Sequence, residues 1–162
     1  MHDSERVEGP RVEIRTDDPR REVVTRLLRE HLADMALLSP PESVHALDVD
    51  ALCVPSITFW TASEGRELLG CGALSQIDAR HGEIKSMRTA TGHRRKGVAA
   101  ALLEHIVTEA QRRAYTRLSL ETGSMDAFAP ARALYSRFGF VHCGPFASYV
   151  LDPNSVFMSR DL

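Results

Sequence analysis

Residues 57–122 constrain the fold more than any other part of the chain. Residues 57–62 (Ile-Thr-Phe-Trp-Thr-Ala) read as a strand. Glu64-Gly65-Arg66 reads as a tight turn and 67–77 as a second, mostly apolar strand. Residues 78–82 give another turn and 83–89 a third strand. Connections this short join antiparallel neighbours, because a parallel pair needs a crossover of a dozen or more residues. Such a crossover follows at once. Residues 97–114 carry Val98, Leu102, Ile106 and Ala110 on one helical stripe, and 117–122 alternate as a strand. An antiparallel meander that ends in one parallel step is a mixed sheet, so the class is α/β.

The flanks fit around this unit. Residues 12–15 form a candidate first strand. Val24, Leu27, Leu28, Leu32 and Met35 recur at helical spacing over 19–35, with Asp17 and Asp18 as candidate caps and Pro19 near the first turn. Ser39-Pro40-Pro41 breaks that helix, and a short helical or irregular piece over 43–52 ends at Pro55. Residues 129–137 form another helix, stopped by Gly139. The tail, 140–162, reads as two strands joined by a long loop that contains Gly144-Pro145 and Asp152-Pro153-Asn154. Residues 1–10 read as a flexible polar arm and 11–162 as one domain.

Several classes fall away. A net charge of -2 argues against a general nucleic-acid binder. The odd, scattered cysteines Cys53, Cys71 and Cys143 form no CxxC, so neither a disulfide framework nor a structural zinc site is expected, and a reducing cytoplasm fits best. Cys71 and Cys143 read as buried packing residues. The start does not read as a signal peptide, and no membrane span is expected, since no apolar run approaches spanning length. The seven histidines show no paired metal spacing, so no metal is expected. His31 and His105 read as surface or boundary positions on helices.

Against that near-neutral background, Arg94-Arg95-Lys96 stand directly before Gly97 and the helix that starts at Val98 and Ala99. A helix N-terminus presents unpartnered N–H groups with partial positive charge. A glycine lets a ligand approach the backbone, and three cations add charge at the same end. These features suit a phosphate or pyrophosphate, and equally a solvated basic turn. Neither a P-loop nor a dinucleotide fingerprint is present.

Arg94-x-x-Gly97-x-Ala99 matches the (Q/R)-x-x-G-x-(G/A) signature of the GNAT superfamily of N-acetyltransferases. Residues 131–140 (Ala-Arg-Ala-Leu-Tyr-Ser-Arg-Phe-Gly-Phe) resemble that family's A-x-x-L-Y-x-x-x-G-F segment. The intervening helix and strand fall where the family has them, so the resemblance covers most of 67–141. It implies a mixed, mostly antiparallel central sheet flanked by helices, with a splayed central strand pair. It also implies an enzyme that moves an acetyl group from acetyl-CoA to a primary amine of a small molecule, by direct attack in a ternary complex.

The resemblance further implies roles for residues. Backbone amides of 94–99 (Arg94, Arg95, Lys96, Gly97, Val98, Ala99) would cradle the pyrophosphate. Met87, Arg88 and Thr89 would pair with the pantetheine arm. Glu83 is the candidate base, with pairing to Lys85 or Arg88 as its alternative reading, and Glu121 is the runner-up. Tyr135 is the candidate acid that protonates the departing thiolate, against a core-packing alternative. The sequence departs from the family at Phe128, where many members carry asparagine.

By the same resemblance, the acceptor pocket would draw on Ser43, His45, Phe59, Trp60, Ser148, Tyr149 and Asn154. Of these His45, Trp60, Tyr149 and Asn154 are the expected substrate contacts. This mix lacks a dense acid cluster, which favours a small amino compound, carboxylate-bearing ones included, over a polyamine or aminoglycoside. A non-catalytic acyl-CoA-binding module and a protein N-terminal or lysine acetyltransferase stand as alternatives. Monomer and homodimer both remain open.

Overall fold

The computed structural model describes residues 12–93 and 97–162. The expected arm at 1–10 and the cations Arg94, Arg95 and Lys96 lie outside the described residues. The elements run β1 (Glu13–Thr16), α1 (Glu22–Leu38), α2 (Val49–Leu52), β2 (Ile57–Glu64), β3 (Glu67–Gln76) and β4 (His81–Thr89). They continue with α3 (Val98–Arg112), β5 (Arg117–Gly123), α4 (Ala129–Arg137), β6 (Val141–Cys143) and β7 (Ser155–Asp161). One sheet holds all seven strands in the order β1-β2-β3-β4-β5-β7-β6. Every pairing is antiparallel except β4 with β5, the step bridged by α3. The meander and the crossover expected from 57–122 are both present.

Each face of the sheet has its own core. On one face the α3 stripe Val98, Leu102, Ile106 and Ala110 packs on Trp60, Leu74, Ile84 and Leu120. These four helix residues are at most 1% exposed. On the other, Val24, Leu27 and Leu28 of α1 pack on Phe59, Cys71 and Ala73. Strand alternation assigns the faces, as when Phe59 and Trp60 part company on β2. Each fully buried leucine contributes about 2 kcal/mol from burial alone, so the two stripes fix which side each helix occupies.

The start of α1 differs from expectation. The helix begins at Glu22, after a turn at Pro19 and Arg20, and no side chain caps it. Asp18 holds that turn instead, accepting from the Arg20 N–H at 2.8 Å. Asp17 turns toward the sheet, where it accepts from Thr61 Oγ1 at 2.6 Å and pairs with Arg21 at 2.6 Å. Burial pushes the Asp17 carboxyl up, but the bonds from Arg21 and Thr61 win and hold it at about 2. The buried stripe of α1 continues to His31, 8% exposed, while Leu32 and Met35 are half-buried. His31 is therefore an interior residue and not a surface one. Cys143 is half-buried on the edge strand β6, where only one neighbour covers it.

The central strands splay. β4 and β5 pair only from His81↔Arg117 to Ile84↔Leu120, although β4 runs on to Thr89 and β5 to Gly123. The cause lies in β4. Against β3, Ala73 faces Lys85 while Cys71 faces Arg88, so β4 carries one extra residue. Ser86 takes it up with φ of 55°, a left-handed conformation that is strained for serine. A bulge bends and twists its strand. Here it swings the end of β4 away from β5 and opens a gap at the middle of the sheet.

Candidate active site

A cleft of about 750 Å³ fills this gap and crosses the sheet. One half is walled by Met87, Thr89, Ala99, Thr122, Ala131 and Tyr135. The other, on the α1 side, is walled by Asp34, His45, Glu83, Lys85, Glu121 and Tyr149.

The first half suits a long ligand with an anionic end. Beyond the bulge, Met87 to Thr89 have no β5 partners, so their backbone groups on that edge face the gap. The Met87 side chain lies over Gly72 on the α3 side, leaving the edge clear. The Arg88 side chain points the other way and bonds Glu30 at 2.7 Å and Asp34 at 2.7 Å. Arg88 therefore offers this half only its backbone. At the end of the half lies the α3 N-terminus. Gly97 caps it with φ of 76°, the left-handed region that glycine enters without penalty. The first N–H groups after Gly97 have no intrahelical acceptor, and no acid stands in the first turn. The Arg94, Arg95 and Lys96 expectations fall outside the described residues.

Phe128 explains its departure from the family pattern. A Cβ placed on Gly123 would lie 2.2 Å from the Phe128 ring, so the ring rests directly on the end of β5. Packing replaces the polar contact that an asparagine would make. Arg132 secures the same corner by donating to the carbonyls of Gly123 (2.7 Å) and Met125 (3.0 Å).

Proton-handling groups meet where the two halves join. Glu83 registers with Ser119, and paired residues share a face, so Glu121 lies on the Glu83 face. Glu83 is 7% exposed. Its Oε2 accepts from Lys85 Nζ at 3.2 Å and from the Tyr149 hydroxyl. Lys85 also donates to the Tyr149 oxygen at 2.8 Å. Glu83, Lys85 and Tyr149 form a closed triangle, in which burial and the Glu83 charge push the Tyr149 phenol up. Glu121 stands outside the triangle. Burial raises its carboxyl to about 7, against the opposing pull of the Lys85 charge. Tyr135 belongs to the α3-side core and also lines the cleft. Burial and the charge of Glu121 push its phenol up to about 12. A carboxyl that titrates near neutrality and a phenol held protonated thus flank one space.

The expected acceptor contacts divide. His45 and Tyr149 line the cleft with ring centroids 5.0 Å apart, edge to face. Trp60 does not reach it. Strand alternation turns its side chain into the α3-side core, 3% exposed, against His105. Phe59 is buried beneath α1. Asn154 stands behind the wall: its Nδ2 donates to Ser43 Oγ at 3.4 Å, beside the Ser43–Asp152 bond of 2.5 Å. It braces the loop that carries Tyr149 against residues 43–46. Sequence reasoning did not place Asp34 in the site and gave Lys85 only as a partner for Glu83. One signal pointed to Lys85: the chain has two lysines, Lys85 and Lys96, against eighteen arginines. No group of metal-binding side chains occurs among the described residues.

Comparison with known proteins agrees with this geometry. The pattern of the acetyltransferase (GNAT) family matches residues 24–140. The chain is 60% identical to the Bacillus subtilis (strain 168) protein named "uncharacterized N-acetyltransferase YsnE", over 92% of this chain and 99% of that one. It is 50% identical to "uncharacterized N-acetyltransferase YedL" of Escherichia coli (strain K12), over 92% and 94%. A GNAT family acetyltransferase from Elizabethkingia anophelis, crystallised with acetyl-CoA bound, shares the fold with a TM-score of 0.69 at 18% identity, over 93% of this chain and 98% of that one. The chain belongs to the GNAT family of acetyltransferases and is an acyl-CoA-dependent N-acetyltransferase.

Proposed function

We propose that the protein transfers the acetyl group of acetyl-CoA to the primary amine of a small molecule, by direct attack with both substrates bound. The observation that carries this reading is that Glu121 and Tyr135 line one continuous cleft, with the Glu121 charge acting on the Tyr135 phenol. The free edge from Met87 to Thr89 receives the pantetheine arm, and the amides after Gly97 receive the pyrophosphate. Glu121 takes the proton from the acceptor ammonium. The amine nitrogen then bonds to the acetyl carbon while an N–H near Met87 holds the carbonyl oxygen. The C–S bond breaks, the Tyr135 hydroxyl gives its proton to the CoA thiolate, and the second proton that leaves the nitrogen as the amide forms restores the Tyr135 phenol, directly or through water.

Glu83 is the less suitable base, because Lys85 and Tyr149 already occupy its Oε2. It holds Lys85 and Tyr149 in place beside Glu121. Direct attack fits the cysteines as well. Cys71 is fully buried with its thiol pushed up to about 12, and neither Cys53 nor Cys143 lines the cleft. A covalent acetyl-cysteine step would need an exposed thiolate.

Calorimetric titration with acetyl-CoA, with ATP as control, tests the cofactor assignment. A thiol-release assay with amines then tests the transfer. Micromolar acetyl-CoA binding with little ATP binding, followed by amine-dependent CoA release, is expected. Absence of acetyl-CoA binding would refute the proposal.

A further inference from the structure

The α1-side half of the cleft brings together acids that lie far apart in the sequence. Asp34 of α1, Glu83 of β4 and Glu121 of β5 all line it. Two cations, Lys85 and Arg88, share the same wall, and both already have carboxylate partners. Arg88, 8% exposed, is held between Glu30 and Asp34. Lys85 is held by Glu83 and the Tyr149 oxygen. Among the described residues of this half both cations already have carboxylate partners, and Glu121 adds further negative charge as it ionises. A carboxylate on the acceptor would meet like charges without a counter-ion, whereas an ammonium would be drawn in.

The walls outside this charged floor are apolar. Met35, Leu38 and Val44 line the cleft, and Leu37 stands at its rim, 84% exposed. Tyr149 adds ring surface and little else, because its hydroxyl is engaged by Lys85 and Glu83. Its ring is wedged among His45, Phe146 and Phe157 at centroid distances of 5.0, 5.0 and 5.5 Å. The Ser43–Asp152 bond ties the segment that carries His45 to the loop that carries Phe146 and Tyr149, while Phe157 is held on β7.

We infer that the acceptor is a small primary monoamine with an aryl or alkyl arm and no carboxylate. This inference rests on the proposed acetyl transfer and names its substrate class. It narrows the small amino compound expected from composition by setting aside the carboxylate-bearing ones.

Phenethylamine and phenylalanine form the matched test pair, because they share the arm and differ by the carboxylate. Phenylalaninamide carries the same arm with the charge removed, and spermidine carries charge without the arm. Rates of CoA release are measured for each with the full chain, after acetyl-CoA binding has been established by calorimetry. The expected result is kcat/KM for phenethylamine above phenylalanine by about 100-fold, and above spermidine. Glu83→Gln should narrow the phenethylamine–phenylalanine gap by about tenfold, because it leaves Lys85 without its carboxylate. The melting temperature and acetyl-CoA affinity of this variant confirm that it is folded.

Phenylalanine used as well as phenethylamine, or an unchanged gap in folded Glu83→Gln, would overturn the charge argument. Preference for spermidine would overturn the apolar arm. Preference for phenylalaninamide over phenethylamine would replace the small amine by a peptide N-terminus. Acetyl-CoA binding with no amine acetylated would refute the inference and leave the cofactor assignment standing. Absence of acetyl-CoA binding would remove the proposed function itself.

Discussion

Glu121→Gln should cost activity and add stability, and the two effects should share one pH dependence. The Glu121 carboxyl is raised from 4.5 to about 7, chiefly by burial. A group at 7 is half ionised at pH 7 and about one-tenth ionised at pH 6, so kcat should fall about tenfold per unit below pH 7. The glutamine variant should lose this limb and drop in rate by about 10²–10⁴-fold at pH 8. The stability sign runs the other way. Between pH 4.5 and 7 the folded state holds the proton more tightly than the unfolded chain, so stability falls as pH rises through this window. A shift of about 2.5 units corresponds to at most about 3 kcal/mol of destabilisation by pH 8. Relieving it should raise the melting temperature by about 6–10 °C at pH 8 and leave it nearly unchanged at pH 4.5. Calorimetric melts of both proteins at the two pH values, beside kcat profiles, make the measurement. Equal melting differences at both pH values, or a kcat limb in the ordinary carboxylate range near 4, would refute the reasoning.

Tyr135→Phe should lower kcat by about 10²-fold while acetyl-CoA affinity stays within about threefold, measured by steady-state kinetics and calorimetry. Equal turnover would return Tyr135 to the core, where it already packs on Phe140. Gly97→Glu should weaken acetyl-CoA binding by more than about tenfold, since it sets an anion at the α3 N-terminus, while the left-handed φ of 76° costs only about 1 kcal/mol of stability. Gly123→Ala should destabilise by about 1–3 kcal/mol, because the new methyl group would fall 2.2 Å from the Phe128 ring, and pairing it with Phe128→Leu should restore part of the loss in denaturant titration. His31, whose imidazole burial and the nearby Arg88 charge lower from 6.5 to about 4, should cost the protein up to about 3 kcal/mol as pH falls through that window, and His31→Leu should flatten this slope in pH-dependent melts.

The parts of the fold written in local periodicity were legible. The α3 stripe repeats every four residues and two tight turns flank β3, so a helix, a meander and a parallel crossover follow without tertiary knowledge. The α1 start was harder, because Asp17 carries the right chemistry for a cap and its partner, Thr61, lies 44 residues away. The cofactor half of the site was readable because its features are consecutive in the chain. The acceptor half was not, since Asp34, Glu83, Glu121 and Tyr149 meet only when α1, β4, β5 and the last loop converge. Trp60 shows the limit of residue type as a guide. An aromatic residue beside a predicted site looked like a ligand contact, and strand parity sent it to the opposite face.

That parity has a consequence at the Ser86 bulge. Before it, the odd-numbered residues of β4, His81, Glu83 and Lys85, face the α1 side; after it the even-numbered Arg88 does. The extra residue acts as a phase shifter that lets one strand show polar side chains to the acceptor on both sides of a bend, while Ile84 and Met87 stay with the α3 layer. Deleting one residue at 86 or 87 would therefore do more than shorten a strand. Alternation would resume with Arg88 still opposite Cys71 and on the α1 side, so its ion pairs would survive, but the bend that parts β4 from β5 and opens the cleft would be lost. The turn at Gly65 and Arg66 carries no such bookkeeping of faces, so length changes in this chain should be tolerated there and forbidden at the bulge.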